Sequence, residues 1–397
     1  MNPPIQMLHS DDRLDYQLRI RRVQALLQRE GIDALVIASN VNLLYTFGHI
    51  FSGLAVIPQQ GEAQFFIRRP QSLVQGQEEV HAIRKIEQVA ELMDTTQLTS
   101  VALELDEQTY SDIQRQARLF PNAKVQNATT LLREARMVKS PLEIKQIRQG
   151  AERHVRTYSY IKDLYRPGMT DRDLQIEIEY RMRRGGSVGL FRCFGSAMEI
   201  FMGSLLTGDN AGAPSPYDFA LGGAGSEALP LGANGTPLRP GMAVMIDMAG
   251  NYGVYCSDMT RTYSIGELPE EAYRLHELSR RMHREIIQQA GPGTSCAGIY
   301  NDCLTAVKEA GAEPYFMGTE LQAQFVGHGL GLQINELPVL MGRSKDTLQP
   351  GMVVAFEPKF VLPHIGAVGI ENTYLVTETG IENLTTAPEE IIDLSKH

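Results

Sequence analysis

No stretch of the 397-residue sequence approaches the roughly 18 apolar residues that a membrane-crossing helix requires, because Gly, Pro or a charge interrupts every candidate. Cysteine is scarce. Cys193, Cys256, Cys296 and Cys303 lie far apart with no Cys-x-x-Cys pair, which predicts reduced thiols in a cytoplasm rather than a disulfide framework. The Met1 end carries Pro3, Pro4, His9 and Asp11 in place of a basic stretch and an apolar run, so no secretory leader is expected. Positive charge is in deficit: 37 Lys and Arg against 47 Asp and Glu give a net charge of -10. Such a surface repels nucleic acid and anionic membranes and favours small-molecule or peptide partners.

Apolar residues make up 43% of the chain, enough to fill the cores of two or three domains. From Asp12 to Glu30 they recur at helical spacing, at Tyr16, Ile20, Val23 and Leu27, and Gly31 stops the helix before the strand-like run Ala34 to Ala38. Leu54 to Ile57, Ala63 to Ile67 and Val101 to Leu105 read as further strands. Gln77 to Leu92 and Asp106 to Leu119 read as polar helices between them, so residues 1–137 form a small α/β domain. A second domain, 138–397, opens at Lys139-Ser140-Pro141, where a Ser cap and a Pro in the first turn start a long amphipathic helix towards Tyr165. A helix over Thr170 to Arg184, a Gly/Ala/Pro-rich stretch, hairpins and a helix over Glu270 to Gln289 follow, an α+β pattern.

The chemistry concentrates in two hairpins. In Ala243 to Ile265, β-rich runs flank Gly250-Asn251-Tyr252-Gly253, and a turn symmetric about Tyr252 and Gly253 sets Asp247 opposite Asp258. Near the C-terminus, Glu357 and Glu371 lie equally far from Pro363-His364-Ile365. Opposed carboxylates repel one another unless a cation neutralises them. Four carboxylates with one imidazole, His328 of VGHGLGLQINELP, form an oxygen-rich set suited to Mn, Co, Fe or Zn. Bridging carboxylates allow two such ions about 3.5–4 Å apart.

These residues resemble a known family, the pita-bread metallohydrolases that include methionine aminopeptidase, aminopeptidase P and prolidase. The resemblance runs through LRPGMAVMIDMAG, SDMTRTY, GHGLGL, the FEP triplet and GIENTYLVTETG, and the Lys139-Ser140-Pro141 helix start is similar to the aminopeptidase P, prolidase and creatinase branch. It implies a pita-bread catalytic domain behind a creatinase-type N-terminal domain, and a homodimer. It also implies that Asp247 chelates one metal, that Asp258 and Glu371 bridge two, and that His328 and Glu357 complete the cluster. The nucleophile would be a hydroxide bridging the ions, with Glu357 handling protons and Thr260 in support. The implied reaction is peptidase action on small peptides of the Xaa-Pro aminopeptidase or dipeptidase type.

Two pocket positions depart from the pattern. Leu231 and Asn335 stand where the peptidases of this family carry histidines, no histidine lies between His154 and His276 to replace the first, and Ala367 to Ile370 lacks the arginine often found before the last Glu. Asn335 can hydrogen-bond a substrate amide, whereas Leu231 can only pack. His364, at the second hairpin's tip, is a candidate substitute. An altered pocket raises a non-peptide hydrolase or lyase on the same fold as the alternative. A silent peptide-binding relative is disfavoured by the five intact ligand positions.

Other motifs carry less. Gly223-Ala224-Gly225-Ser226-Glu227-Ala228 fits a dinucleotide fingerprint, but Pro230, Pro237 and Pro240 forbid the helix that must follow. His276 and His283 sit among Arg, Glu and Gln, which predicts a solvated helix face. Met198, Met202, Met242, Met245 and Met248 read as core residues rather than pocket lining.

Overall fold

A computed structural model describes residues 10–195, 198–217 and 219–396, so Pro3, Pro4 and His9 lie outside the described residues. The chain divides into two compact units, 1–136 and 137–397.

The first unit begins with α1 (Ser10–Glu30), whose Val23 and Leu27 are fully buried and which ends at Gly31, a residue in the left-handed region at φ 66°. There follow β1 (Ala34–Ile37), α2 (Asn40–Phe47), β2 (Ser52–Pro58), β3 (Gln64–Arg69), β4 (Val80–Ala82) and the single turn α3 (Val89–Leu92). β5 (Ser100–Leu103), α4 (Tyr110–Ala117), β6 (Lys124–Asn127) and α5 (Thr129–Met137) complete it. One sheet in the order β4-β3-β2-β1-β5-β6 carries the core residues Val36, Val56, Phe66, Val101 and Leu103. The helix expected over Gln77 to Leu92 is confined to its end, the turns at Ile86–Gln88 and Val89–Leu92. Val80 to Ala82 instead pair in parallel with Phe65 to Ile67, tertiary pairing overriding a polar local sequence.

α6 (Pro141–Tyr158) opens the second unit with the expected cap, a reciprocal box in which Ser140 and Glu143 satisfy each other's backbone amides, and it ends seven residues before Tyr165. α7 (Asp171–Arg184) is capped by Thr170. Strands β7 (Gly203–Thr207), β8 (Met242–Met248) and β9 (Thr260–Ile265) form a sheet with the short β17 (Ile392–Asp393) at its edge. Leu174, Ile178 and Met182 of α7 pack on Val244, Ile246 and Met248. Of the five methionines expected in the core, Met202, Met245 and Met248 are buried, while Met198 and Met242 are half-buried.

α8 (Glu270–Gln289) and α9 (Cys296–Glu309) cover a second sheet. Its strands are β10 (Phe325–Gly329), β11 (Glu336–Met341), β12 (Val353–Phe356), β15 (Asn372–Val376) and β16 (Ile381–Asn383), in the order β11-β10-β12-β15-β16. β13 (Lys359–Leu362) and β14 (Gly366–Gly369) form a hairpin between β12 and β15. No helix among the described residues is long and apolar enough to cross a membrane, and the four cysteines are free thiols.

α8 corrects the reading of its histidines. Both are buried on the core side: His276 Nε2 donates to the Glu389 carbonyl at 2.7 Å, and His283 donates to the Ile370 carbonyl at 3.1 Å and accepts from the Tyr374 hydroxyl at 2.7 Å. Burial pushes His276 down to about 4, and its buried Nδ1 has no acceptor waiting for a second proton among the described residues. An unfolded histidine titrates near 6.5. The folded state therefore binds fewer protons between these values, and His276 contributes stability that is fully present above about pH 6.5 and lost as pH falls towards 4. The slope approaches about 1.4 kcal/mol per pH unit for one proton. The melting temperature is expected to fall on acidification through this window and to fall less steeply in His276→Gln, which keeps a donor for Glu389. An unchanged slope in the variant refutes the assignment.

Candidate metal centre

Alternation along β12, β13 and the residues between them places the site. Phe356 and Phe360 are buried in the core against α8 and its neighbours, which leaves Glu357 and Lys359 on the opposite face. β12 pairs with β15 and β13 with β14 in one continuous register: Phe356 opposes Asn372 and Lys359 opposes Gly369. Glu357 is thereby opposite Glu371, as the symmetric hairpin predicts. The first hairpin differs by two residues. Asp247 pairs with Thr260, and the ladder continues to a bridge between Gly250 and Ser257, so the turn centres one residue later than expected. The shift keeps parity, and Asp258 becomes the diagonal neighbour of Asp247 on the same face.

His328 reaches the carboxylates from β10 because its neighbours are glycines. A Cβ on Gly327 would come within 2.2 Å of the Ala355 carbonyl oxygen, and one on Gly329 within 2.0 Å of that of Leu337, so only glycine lets β10 lie between β11 and β12 here. His328 Nδ1 donates to the Gly329 carbonyl at 3.1 Å, which leaves Nε2 directed at the acids, 3.4 Å from Glu357 Oε1 and 4.0 Å from Asp258 Oδ2.

The backbone around these side chains is pinned from behind. Tyr158 donates to the Met259 carbonyl at 2.6 Å and accepts from the Met248 amide at 3.0 Å, clamping β8 to the segment entering β9. The Thr373 hydroxyl holds both the amide and the carbonyl of Asp258 at 2.8 Å. Thr260 Oγ1 donates to Glu371 Oε2 at 2.7 Å.

Charges in the site follow from that crowding. Burial and the nearby Asp247 push Asp258 up to about 7, and burial with Asp258 holds Glu371 well above the carboxylate range. Burial alone would raise Glu357 too, but the Lys359 charge and the His328 hydrogen bond bring it down to about 2. Burial opposes protonation of His328, yet the hydrogen bond and charge of Glu357 raise it to about 9. Uncompensated acids at one face are the signature of a cation site.

The five expected ligands do converge. Asp258, His328 and Glu371 form one group whose ligand atoms all lie within 4.8 Å of one another, and Asp247, Glu357 and Glu371 form a second. The first fits a divalent ion: it offers an imidazole nitrogen and two carboxylates, and Glu371 Oε1 is buried with no hydrogen-bond partner among the described residues. In the second, a nitrogen is already present. Lys359 Nζ lies 2.7 Å from Asp247 Oδ2, 2.7 Å from Glu357 Oε2 and 3.2 Å from Glu371 Oε2.

The three expected pocket residues make contacts of their own. Leu231 is buried in a turn, its amide bonded to the Leu229 carbonyl. Asn335 brackets the Phe194 backbone, its Oδ1 accepting the amide at 2.6 Å and its Nδ2 donating to the carbonyl at 3.0 Å. His364 is exposed on the hairpin tip and pairs with Asp209 at 3.0 Å. The Gly223 to Ala228 segment forms no helix.

Sequence reasoning passed over Lys359, Tyr158 and Arg261. For Lys359 a signal existed: it stands two residues after Glu357, hence on the same face of a strand, directly before the apolar run Phe360 to Leu362.

Residues 145–378 match the family described as Metallopeptidase family M24, and residues 19–138 match the Creatinase/Prolidase N-terminal domain. An uncharacterized peptidase of Bacillus subtilis is 27% identical over 388 residues, covering 95% of this chain and 100% of that protein. A Xaa-Pro dipeptidase of Pyrococcus furiosus is 24% identical over 379 residues, covering 94% and 99%. The solved structure of a Xaa-Pro dipeptidase from Bacillus anthracis is similar with a TM-score of 0.78 at 24% identity, covering 95% of this chain and 99% of that one. Site and architecture together define a pita-bread metallohydrolase with a creatinase-type N-terminal domain. The chain belongs to metallopeptidase family M24, in its creatinase and prolidase branch.

Proposed function

We propose that the protein is a metal-dependent peptidase cleaving small peptides of the Xaa-Pro aminopeptidase or dipeptidase type. The convergence of Asp258, His328 and Glu371 around an unpartnered buried carboxylate oxygen carries this reading. A divalent ion there would supply Lewis acidity, polarising a scissile carbonyl and making water a stronger acid at neutral pH. His328, with Nδ1 held by Gly329, presents Nε2 in the orientation a ligand needs. Glu357, ionised beside it, takes the proton that water loses and returns it to the departing nitrogen.

A cleft in the same unit, lined by Tyr217, Phe219, Leu321, Phe325 and Arg343 among others, suits this substrate class. Phe325 lies 6.5 Å from His328 between ring centroids, the aromatic walls match a proline ring, and Arg343 offers a cation for a peptide carboxylate. The free thiols agree with a cytoplasmic setting, and a homodimer remains the expectation from the branch resemblance.

Protein supplemented with Mn or Co is expected to hydrolyse members of a panel of Xaa-Pro dipeptides and Xaa-Pro peptides, followed by chromatographic detection of the released amino acid. A panel left intact under every metal refutes the peptidase reading, and turnover of a non-peptide amide under the same conditions would replace it with the alternative hydrolase.

A further inference from the structure

The geometry points to a centre in which the Lys359 ammonium takes the place of one metal ion, leaving a single divalent cation at Asp258, His328 and Glu371. The inference rests on the proposed metal dependence and narrows it to a hybrid centre of one metal and one ammonium.

An ammonium has three N–H donors, and Lys359 spends one on each of Asp247, Glu357 and Glu371, at 2.7, 2.7 and 3.2 Å. These are the three residues of the second ligand group. A metal bound to the same oxygens at roughly 2.0–2.2 Å would occupy the spot where the nitrogen stands. The side chain has no alternative berth in solvent, because it is 0% exposed. Its backbone is tied as well, with the Lys359 carbonyl accepting from the Met317 amide at 2.9 Å.

Charge agrees with geometry. Asp247, Asp258, Glu357 and Glu371 carry four negative charges when ionised. Lys359 and one divalent ion supply three positive charges, leaving the buried site at −1. Two divalent ions beside Lys359 would leave it at +1, with three cationic centres sharing four acids. Lysine at this point of the second hairpin therefore does chemically what a cation held by Asp247, Glu357 and Glu371 would do. It neutralises Asp247 and Glu357 and offers N–H donors where a metal would offer empty coordination positions. Of the Asp258, His328 and Glu371 group, Lys359 bonds Glu371 Oε2, the oxygen that also accepts from Thr260, while Glu371 Oε1 has no hydrogen-bond partner among the described residues.

The test is a count of ions. The purified full-length chain, stripped with chelator, supplemented with Mn, Co or Zn and desalted, is expected to hold one equivalent per chain by elemental analysis. Lys359→Ala is expected to hold two. Crystals of the unsubstituted protein grown with Mn should show one anomalous peak, among Asp258, His328 and Glu371, which keeps the test decisive if the alanine variant fails to fold. Two equivalents or two peaks in the unsubstituted protein overturn the inference, as does a folded Lys359→Ala that still holds one. One equivalent without peptide turnover rejects only the peptidase reading, two equivalents with turnover reject only the hybrid centre, and no metal at all rejects both.

Discussion

Replacing Glu357 with glutamine is expected to lower kcat on a Xaa-Pro dipeptide by about 10²–10⁴-fold, the range typical for loss of a positioned proton-transfer group. The reason is its charge state and its place beside His328. Burial would raise Glu357, but the Lys359 charge and the His328 hydrogen bond bring it down to about 2, so it is ionised at neutral pH, the form that can take up a proton. Glutamine preserves shape. Its amide oxygen can still accept from Lys359 Nζ, which lies 2.7 Å from Glu357 Oε2, and Asp258, His328 and Glu371 are unaltered. Melting temperature and bound metal should therefore stay close to those of the parent while turnover collapses. Steady-state kinetics with a metal assay on the same sample decides the matter, and a loss below tenfold with metal retained moves the proton-transfer role to another residue.

The second large effect lies behind the site. Arg261 is buried and donates to six acceptors: the carbonyls of Thr260, Glu371, Thr385, Ala387 and Pro388, and Asn372 Oδ1, all at 2.8 to 3.0 Å. One guanidinium thus joins the strand carrying Thr260 to the segment carrying Glu371 and to the C-terminal stretch. Arg261→Met keeps much of the volume and removes every donor. Hydrogen bonds to charged groups contribute about 1.5–3 kcal/mol each, and stranded buried carbonyls carry their own penalty, though such terms do not add. We expect a loss of about 4–5 kcal/mol, the upper range for one substitution. With domain stabilities of about 5–15 kcal/mol, that is enough to shift the denaturant midpoint of the catalytic unit strongly. A loss under about 1 kcal/mol would show that water replaces the guanidinium.

Much of this was readable from residue order. The mirrored spacing of Glu357 and Glu371 about Pro363 to Ile365 survives in the structure because β12 to β15 keep one register with no bulge. The Asp247 and Asp258 pairing was legible only to parity. Turn residues 249–257 contain two glycines and no strong two-residue hairpin signal, so the centre could slide while both acids stayed on one face. The histidines of α8 were misread because the stripe that buries them is defined by the sheet beneath, and the charged neighbours along the sequence occupy the other face of the helix. Lys359 eluded a search for ligands because a cation is not a ligand. Its spacing of two residues from Glu357 was the signal that it shares a face with the acids.

That lysine has a consequence for how the protein weathers scarcity. A site neutralised wholly by dissolved ions loses its cohesion whenever those ions are withdrawn, since facing acids then repel one another. Here part of the counter-charge is covalently attached to the chain and cannot be dialysed, chelated or exchanged. Asp247, Glu357 and Glu371 are gathered around Nζ at 2.7, 2.7 and 3.2 Å. On the one-metal reading, the metal-free protein is expected to keep the Asp247, Glu357 and Glu371 side of the site assembled, with the Asp258, His328 and Glu371 side left for an ion to complete.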